Sequence, residues 1–199
     1  MVQAKFSSRS RRLAGGRGFS LIEVVISIGL LSVVSLGVAQ LFAQSTRANV
    51  TAKGRTSATA LAEQKLEQIR SLTWGFDADG LGLPVTDTTS NLAVYPPQAN
   101  GSGLNPSPDN SLEQNTPGFV DFLDAQGTWV GTGTTPPPTA VYIRRWSVLP
   151  LPTNPNNSLV TQVLVTPIAN ENARQATIWT RTRMPGDALL ITMKTRKAQ

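Results

Sequence analysis

The sequence contains no histidine and no cysteine among its 199 residues. The absence of histidine excludes imidazole acid–base catalysis, and the absence of cysteine excludes thiol nucleophiles and disulfide bonds. The usual side-chain ligands of structural zinc are missing for the same reason. No glycine-rich loop ends in Lys-Ser or Lys-Thr, and no serine is followed three residues later by lysine. The sequence therefore predicts no catalytic residue, no metal site and no cofactor, and hence a protein that is not an enzyme.

Aromatic residues are also few, at 6%, and hydrophobic residues make up 40% of the chain. A chain of this length and composition supports one modest domain with an appendage, because two full domains would each need a larger core. The composition therefore predicts a single globular domain.

Acidic residues are absent from the N-terminus, where the positive charge of the chain is concentrated. The net charge is +6, and residues 1–18 contain five basic residues. These are Lys5, Arg9, Arg11, Arg12 and Arg17. The remainder is close to neutral, which does not favour a nucleic-acid partner. A smaller basic cluster, Lys194, Arg196 and Lys197, is predicted to be a solvated tail, since phosphate-binding surfaces use larger sets.

A long apolar run follows the basic N-terminus. Residues 19–43 carry only one charged side chain, Glu23, and the first proline of the chain is Pro84. As a helix, these 25 positions reach about 37 Å, which exceeds the roughly 30 Å of a bilayer hydrocarbon core. The sequence therefore predicts a single membrane span. The preceding positive charges place the N-terminus in the cytoplasm and the rest of the chain outside.

Glu23 is the unusual feature of this run. A charged side chain in the middle of a membrane-spanning helix costs about 2.5 to 3.5 kcal/mol, so a retained charge usually has a function. A secretory signal peptide is one alternative, because Gly37 and Ala39 could form a small-residue cleavage site before Gln40. A plain single-span anchor is another. Both leave Glu23 without a role, and the run is longer than the apolar region of a signal peptide.

The stretch "GRGFSLIEVV" resembles the prepilin-type cleavage and methylation motif of type IV pilins and type II secretion pseudopilins. The resemblance implies that a membrane peptidase cleaves between Gly18 and Phe19 and methylates the new amine of Phe19. It also implies an assembly role for Glu23, which pairs with the freed amine of a neighbouring subunit. A carboxylate in a low-dielectric filament core requires such a partner.

The resemblance implies a domain organisation as well. Residues 1–18 form a leader that is removed, and residues 19–45 form a transmembrane and assembly helix. Residues 46–199 form an extracytoplasmic pilin-like domain, with a loop-rich insertion over residues 75–139 that holds nine of the fourteen prolines.

Within the family, the length of the chain and the start "GFSLIEV" are most similar to PilV-type minor pilins of the bacterial inner membrane and type IV pilus. Expected partners are the prepilin peptidase and methylase, other pilin subunits, the inner-membrane assembly platform, and membrane lipid before assembly. A minor pseudopilin of type II secretion is an alternative. A membrane-tethered adhesin or DNA-binding module, delivered by a pilin-type N-terminus, is an alternative of another class.

The predicted fold is α+β and pilin-like. A helix over about residues 19–73 packs on a C-terminal antiparallel sheet through one apolar face. That face comprises Ala58, Leu61, Ala62, Leu66, Ile69 and Leu72. Lys65 also lies at this face, where its ammonium is predicted to reach outward to solvent along an apolar stem.

Three β-rich runs, residues 140–151, 158–168 and 175–184, predict an antiparallel meander. Trp146 and Trp179 lie in the first and third runs and are predicted to pack in the core or against the helix.

Two shorter stretches lie in the loop-rich insertion. Residues 119–130 predict a strand, a turn and a second strand. Residues 77–87 contain Asp77 and Asp79 and faintly resemble a calcium loop, but oxygen ligands are missing at later positions. This stretch is therefore predicted to be a turn region.

Overall fold

The computed structural model of the chain describes residues 18–79, 81–175 and 183–196. The five basic residues of the predicted leader, together with Trp179 and Lys197, lie outside these ranges, as does most of the predicted strand over 175–184. The chain divides into two compact units, Met1–Arg47 and Ala48–Gln199, and one helix contributes residues to both.

That helix, α1, covers Leu21–Ser71 and agrees with the predicted helix to within two residues at each end. Its sequence contains no proline, and its second half is rich in strong helix formers such as alanine, leucine, glutamate and glutamine. Glu23 lies in the first turn and Arg70 in the last, so the helix dipole stabilises both charges.

The remaining elements lie in the second unit. They are β1 (Trp74–Phe76), β2 (Pro84–Thr86), β3 (Val120–Leu123), β4 (Trp129–Gly131), β5 (Tyr142–Pro150), β6 (Ser158–Pro167), α2 (Ile168–Gln175) and β7 (Ala188–Thr195). Strands β1 and β2 form a small hairpin, and the other five form an antiparallel sheet in the order β4-β3-β5-β6-β7. The predicted α+β arrangement of a long N-terminal helix and an antiparallel sheet is confirmed.

The predicted meander is confirmed for its first two strands, whereas most of its third run, residues 175–184, lies outside the described residues. Strands β5 and β6 pair over nine consecutive positions, but the neighbour of β6 on its other side is β7, over eight positions. Residues 169–174, predicted to be a simple connection, belong to α2. The stretch "ALLITMKT" is β-branched and apolar enough to form a strand, and it forms β7 through its pairing with β6.

The core lies between the second part of α1 and one face of the sheet. Ala58 and Ala62 are fully buried, so the helix backbone approaches the sheet closely at these two positions. The larger apolar side chains of the predicted helix face also belong to this cluster, and they pack with Trp146 and Val148 of β5. The predicted face is confirmed, and so is the packing role of Trp146.

The hairpin predicted over residues 119–130 is present as β3, a turn and β4. The carboxylate of Asp124 accepts hydrogen bonds from Gln126 N and Thr128 N at 2.9 and 2.8 Å. Gly127 has a φ of 81°, and a Cβ there would lie 2.7 Å from the Cδ2 of Leu61. Glycine is therefore required both by the turn and by the contact with α1.

A turn lies between β1 and β2 within the stretch 77–87, as predicted, but Pro84–Thr86 of that stretch form strand β2. The carboxylate of Asp77 accepts hydrogen bonds from Leu81 N at 3.2 Å and Leu83 N at 2.9 Å. Asp77 therefore stabilises the turn by binding backbone N–H groups.

Candidate functional site

The residues that carry the pilin resemblance lie at and just before the start of α1. Gly18 and Phe19 precede the helix, and Phe19 is 81% exposed. Ser20 holds the N-cap position, since its carbonyl accepts the first helical hydrogen bond, from Val24 N at 3.2 Å. The Gly18–Phe19 peptide bond is thus outside the helix and accessible. Glu23 is exposed in the first turn, four residues from the amine that cleavage would create.

The helix that follows is apolar around its whole circumference. Large apolar residues from Leu21 to Phe42 are between 44 and 82% exposed within the chain. Ser32 Oγ donates to the carbonyl of Ile28 at 2.7 Å, so this hydroxyl has its hydrogen-bond partner within the helix itself. By length and composition α1 contains a segment able to cross a membrane. A helix apolar on all sides requires lipid or other subunits around it.

The family model described as the prokaryotic N-terminal methylation motif matches residues 15–39. The match includes Gly18, Phe19, Glu23 and the apolar start of α1. The N-terminal segment of the chain is similar to that of type IV pilins and pseudopilins. Searches among curated proteins and among solved structures give no match.

The pilin motif points to a structural subunit. It implies processing by a prepilin peptidase and assembly with other pilins, and with the long apolar helix it is consistent with membrane anchoring. The individual roles of Gly18, Phe19 and Glu23 stay predictions from the sequence.

A buried charge network joins the second part of α1 to the pilin-like sheet. Asp121 of β3 lies directly opposite Arg144 of β5, whose guanidinium donates to both carboxylate oxygens at 2.9 and 2.8 Å. The same guanidinium donates to the carbonyl of Leu61 and the Oε1 of Gln64, both at 3.0 Å. A bidentate Arg–carboxylate pair has fixed geometry, so this network sets where α1 lies on the sheet.

Lys65 completes the network, and the prediction that its ammonium reaches outward to solvent is wrong. Lys65 is 1% exposed, and its Nζ lies 2.8 Å from Asp121 Oδ2 and donates to the carbonyl of Leu92 at 2.6 Å. It also lies 4.5 Å from the ring centre of Trp146. Burial lowers the pKa of Lys65 from 10.5 to about 8, although the charge of Asp121 opposes this shift.

Two adjacent arginines of β5 serve opposite faces of the sheet. Arg144 faces α1, whereas Arg145 donates to the carboxylate of Glu171 in α2, with the shorter contact at 2.9 Å. Glu171 also pairs with Arg174 at 3.2 Å. Desolvation raises the pKa of Glu171, but the hydrogen bond and charge of Arg145, with those of Arg174, outweigh it and leave the pKa lowered. Each arginine therefore pairs with a different carboxylate on its own face of the sheet. The alternation of side chains along a strand does not by itself show which carboxylate each arginine binds.

The C-terminal basic residues are structural, so the prediction of a solvated tail is wrong for Lys194 and Arg196. Lys194 Nζ donates to the carbonyls of Arg70, through a short contact, and of Leu72, at 2.7 Å, where α1 ends. Cations often bind the free carbonyls at this end of a helix.

Arg196 holds the hairpin of β1 and β2. Its guanidinium carbon lies 3.6 Å from the ring centre of Trp74, and its Nη1 donates to the carbonyls of Gly75 and Val85 at 2.9 and 3.0 Å. Desolvation lowers the pKa of Arg196. No sequence signal distinguishes these basic residues from a free tail, because most of their acceptors are backbone carbonyls 111 to 124 residues away.

Proposed function

We propose that this protein is a minor, PilV-type subunit of a type IV pilus, inserted in the bacterial inner membrane and incorporated into the pilus or required to start its assembly. The carrying observation is the methylation motif at residues 15–39, which includes the start of an apolar helix whose side chains are exposed there. The absence of a cysteine pair for a C-terminal loop supports a minor subunit rather than the major one.

In this proposal the peptidase cleaves between Gly18 and Phe19 on the cytoplasmic side, and Phe19 becomes the methylated N-terminus. Residues 1–18 are the leader, residues 19–45 span the inner membrane, and residues 46–199 form the extracytoplasmic domain. The exposed, non-helical position of Gly18 and Phe19 supports cleavage, because a peptidase needs an extended, accessible bond.

Glu23 has the assembly role. When apolar helices pack together, its carboxylate enters a low-dielectric environment and needs a cationic partner. The amine of a neighbouring Phe19 supplies that cation, and pairing fixes the axial register of the two helices. Before assembly, the N-terminal end of α1 stabilises the same carboxylate through the helix dipole.

The test combines three single substitutions in the full chain, produced in cells that assemble the filament. Gly18→Val should leave an uncut precursor. Glu23→Gln should be cut after Gly18 but enter filaments at least about tenfold less than the natural chain. Glu23→Asp keeps the charge and is the matched control, with partial incorporation expected. Intact-mass analysis of the N-terminus gives cleavage and methylation, and the ratio of sheared filament to membrane fraction gives incorporation.

A mature chain that begins at Gln40 would show that the segment is a secretory signal peptide. Full incorporation of the Glu23→Gln protein would show that this carboxylate has no assembly role. Recovery with a type II secretion apparatus, and never with surface pili, would favour the minor pseudopilin alternative. Normal filaments that lose attachment or DNA uptake in the absence of the protein would favour a tethered adhesin or DNA-binding module.

A further inference from the structure

The charged residues of α1 are unevenly distributed along the helix. Arg47, Lys53 and Arg55 lie within nine consecutive positions, and no acidic residue occurs between Glu23 and Glu63. Ion pairs on a helix surface join residues three or four positions apart. None of these three cations therefore has an acidic partner on its own helix. The three residues are called the basic stretch below.

The basic stretch is also unpaired with respect to the rest of the described chain. All three residues are exposed, and none of them forms a hydrogen bond or an ion pair with residues 18–79, 81–175 or 183–196. One carboxylate, that of Asp187, lines the same cavity as Arg55, but it is bound by Arg174 and Asn170. The charges of the basic stretch are thus available to an anion outside the chain.

The basic stretch begins where the apolar run of α1 ends. Phe42 is the last large apolar residue of that run and is 68% exposed, and Arg47 follows it by five residues. At 1.5 Å per residue this separation is about 7 Å along the helix. The headgroup layer adds about 5 to 7 Å to each side of the hydrocarbon core of a bilayer. With Phe42 at the edge of that core, Arg47 lies at the level of the headgroups.

We propose that the basic stretch binds the anionic headgroups of phospholipids at the extracytoplasmic surface of the inner membrane. The proposal rests on the proposed function, which places α1 in that membrane before assembly. The basic stretch directly continues the apolar run, which itself requires lipid around it, and its charge is opposite to that of a phosphate group. A basic residue close to an anionic membrane surface strengthens binding by about fivefold.

Headgroup binding gives the mature chain a defined depth in the membrane. Cleavage after Gly18 removes the five basic residues of the leader, and the nearest basic side chain to the apolar run is then that of Arg47. Movement of α1 toward the cytoplasm would draw this cation into the hydrocarbon core, which is costly. The basic stretch therefore holds α1 at the outer surface until the subunit leaves the lipid for the filament.

The first experiment uses the absence of cysteine from the chain. Thr51→Cys introduces one thiol at an exposed position between Arg47 and Lys53, and this thiol carries a fluorescent label. The labelled full chain is reconstituted in vesicles of phosphatidylcholine, either alone or with about one third phosphatidylglycerol. Both kinds of vesicle contain the same fraction of a lipid with an uncharged quencher on its headgroup.

Quenching of the label should be at least about twofold stronger in the anionic vesicles than in the neutral ones. This excess should disappear at about 1 M salt, where the screening length falls to about 3 Å. Because the label reports only on its own surroundings, the basic residues of the leader do not contribute to the excess.

The second experiment repeats the measurement with substitutions in the basic stretch. Arg47→Gln should remove the largest share of the excess, because Arg47 is nearest to the apolar run, and changing all three cations to glutamine should remove all of it. Arg47→Lys keeps the charge and should keep most of the excess. Arg70→Gln removes an equal charge from the last turn of α1 and is the matched control, with natural quenching expected. Glutamine is a good helix former, so these chains should fold normally.

Each outcome decides the proposal. Equal quenching in the two kinds of vesicle, an excess that survives in high salt, or an excess unchanged by the triple substitution would overturn it. The same loss from Arg70→Gln would overturn it as well, since net charge alone would then be responsible. A triple variant with natural headgroup contact that enters filaments poorly would assign the basic stretch to a neighbouring subunit instead.

Insertion of the chain is measured separately in the same vesicles. A chain that an alkaline wash removes from the vesicles is not inserted, which would contradict the proposed function and this proposal together. A chain that stays in the vesicles but shows no excess quenching would contradict this proposal alone.

Discussion

The two parts of α1 differ in what surrounds them. Up to Phe42 the large apolar side chains are exposed on every side, whereas from Ala58 onward one face is buried and the other is polar. The single acid of the first part, Glu23, is exposed and makes no hydrogen bond to a described side chain, while Lys65 in the second part is enclosed by partners. One continuous helix thus has a first part with exposed apolar side chains and a second part with one buried face.

This difference indicates which contacts stabilise each part of α1. The second part is stabilised by its own domain, through apolar packing and the network of Asp121, Arg144 and Lys65. The first part has no such contacts and depends on lipid or on neighbouring subunits. Substitutions in the second part should therefore change folding of the chain, and substitutions in the first part should change insertion or assembly.

The largest effect on folding should come from Asp121→Asn. The change leaves two buried cations, Lys65 and Arg144, without their shared carboxylate, and breaking a buried pair costs about 3 to 5 kcal/mol. We expect a loss of that size in the free energy of unfolding, measured by denaturation of the detergent-solubilised chain. Asp109→Asn, at an exposed loop position, is the control and should change it by less than about 0.5 kcal/mol. An equally small effect of Asp121→Asn would show that the network does not hold α1.

A pair of matched substitutions compares the two parts of α1 directly. Ala62→Leu inserts a larger side chain where the helix contacts the sheet, and overpacking costs about 1 to 3 kcal/mol. Ala39→Leu adds the same atoms to an exposed position of the first part and should leave unfolding unchanged. Tryptophan fluorescence is a suitable probe, because all four tryptophans follow residue 73. Equal destabilisation by both would contradict the division of the helix.

The end of α1 should show a smaller effect. Arg196→Ala removes the stacking on Trp74 and the hydrogen bonds to Gly75 and Val85, and we expect a loss of about 1 to 2 kcal/mol. Arg196→Lys keeps the charge but not the planar donor arrangement and should recover only part of this loss. Full recovery by lysine would mean that charge alone matters there.

The smallest effect at neutral pH should come from Lys65→Met, since Asp121 keeps Arg144 and the methionine fills the apolar space. We expect a change of about 1 kcal/mol or less. The pH dependence is more informative. The pKa of Lys65 is about 8 in the folded chain, below the 10.5 of the free side chain, so between these values the unfolded state binds more protons.

The stability of the natural chain should consequently rise relative to Lys65→Met as the pH increases from 8 to 10. The measurement is the difference in unfolding free energy between the two chains at each pH. A difference that stays constant, or one that falls, would contradict the lowered pKa.

The sequence by itself determined α1, because a 51-residue stretch without proline forms a helix from local signals. The first part of this helix was recognisable as well, since Glu23 is the one charged residue in its apolar run. It also determined the motif around Gly18 and Glu23, which depends on residue spacing alone. The hairpin of β3 and β4 and the strands β5 and β6 were predictable for the same reason, since turn chemistry and β-branched runs are local signals.

Only the tertiary structure decided the partners of charged side chains and the pairing of β7. Lys65 is buried beside Asp121, 56 positions later in the chain, where α1 packs on the sheet. Arg196 is structural because backbone carbonyls distant in sequence surround it, and such acceptors leave no trace in residue types. Strand β7 is placed in the sheet by its pairing with β6 over eight positions. Burial and pairing arise from long-range contacts, so they depend on the whole fold rather than on the sequence near each residue.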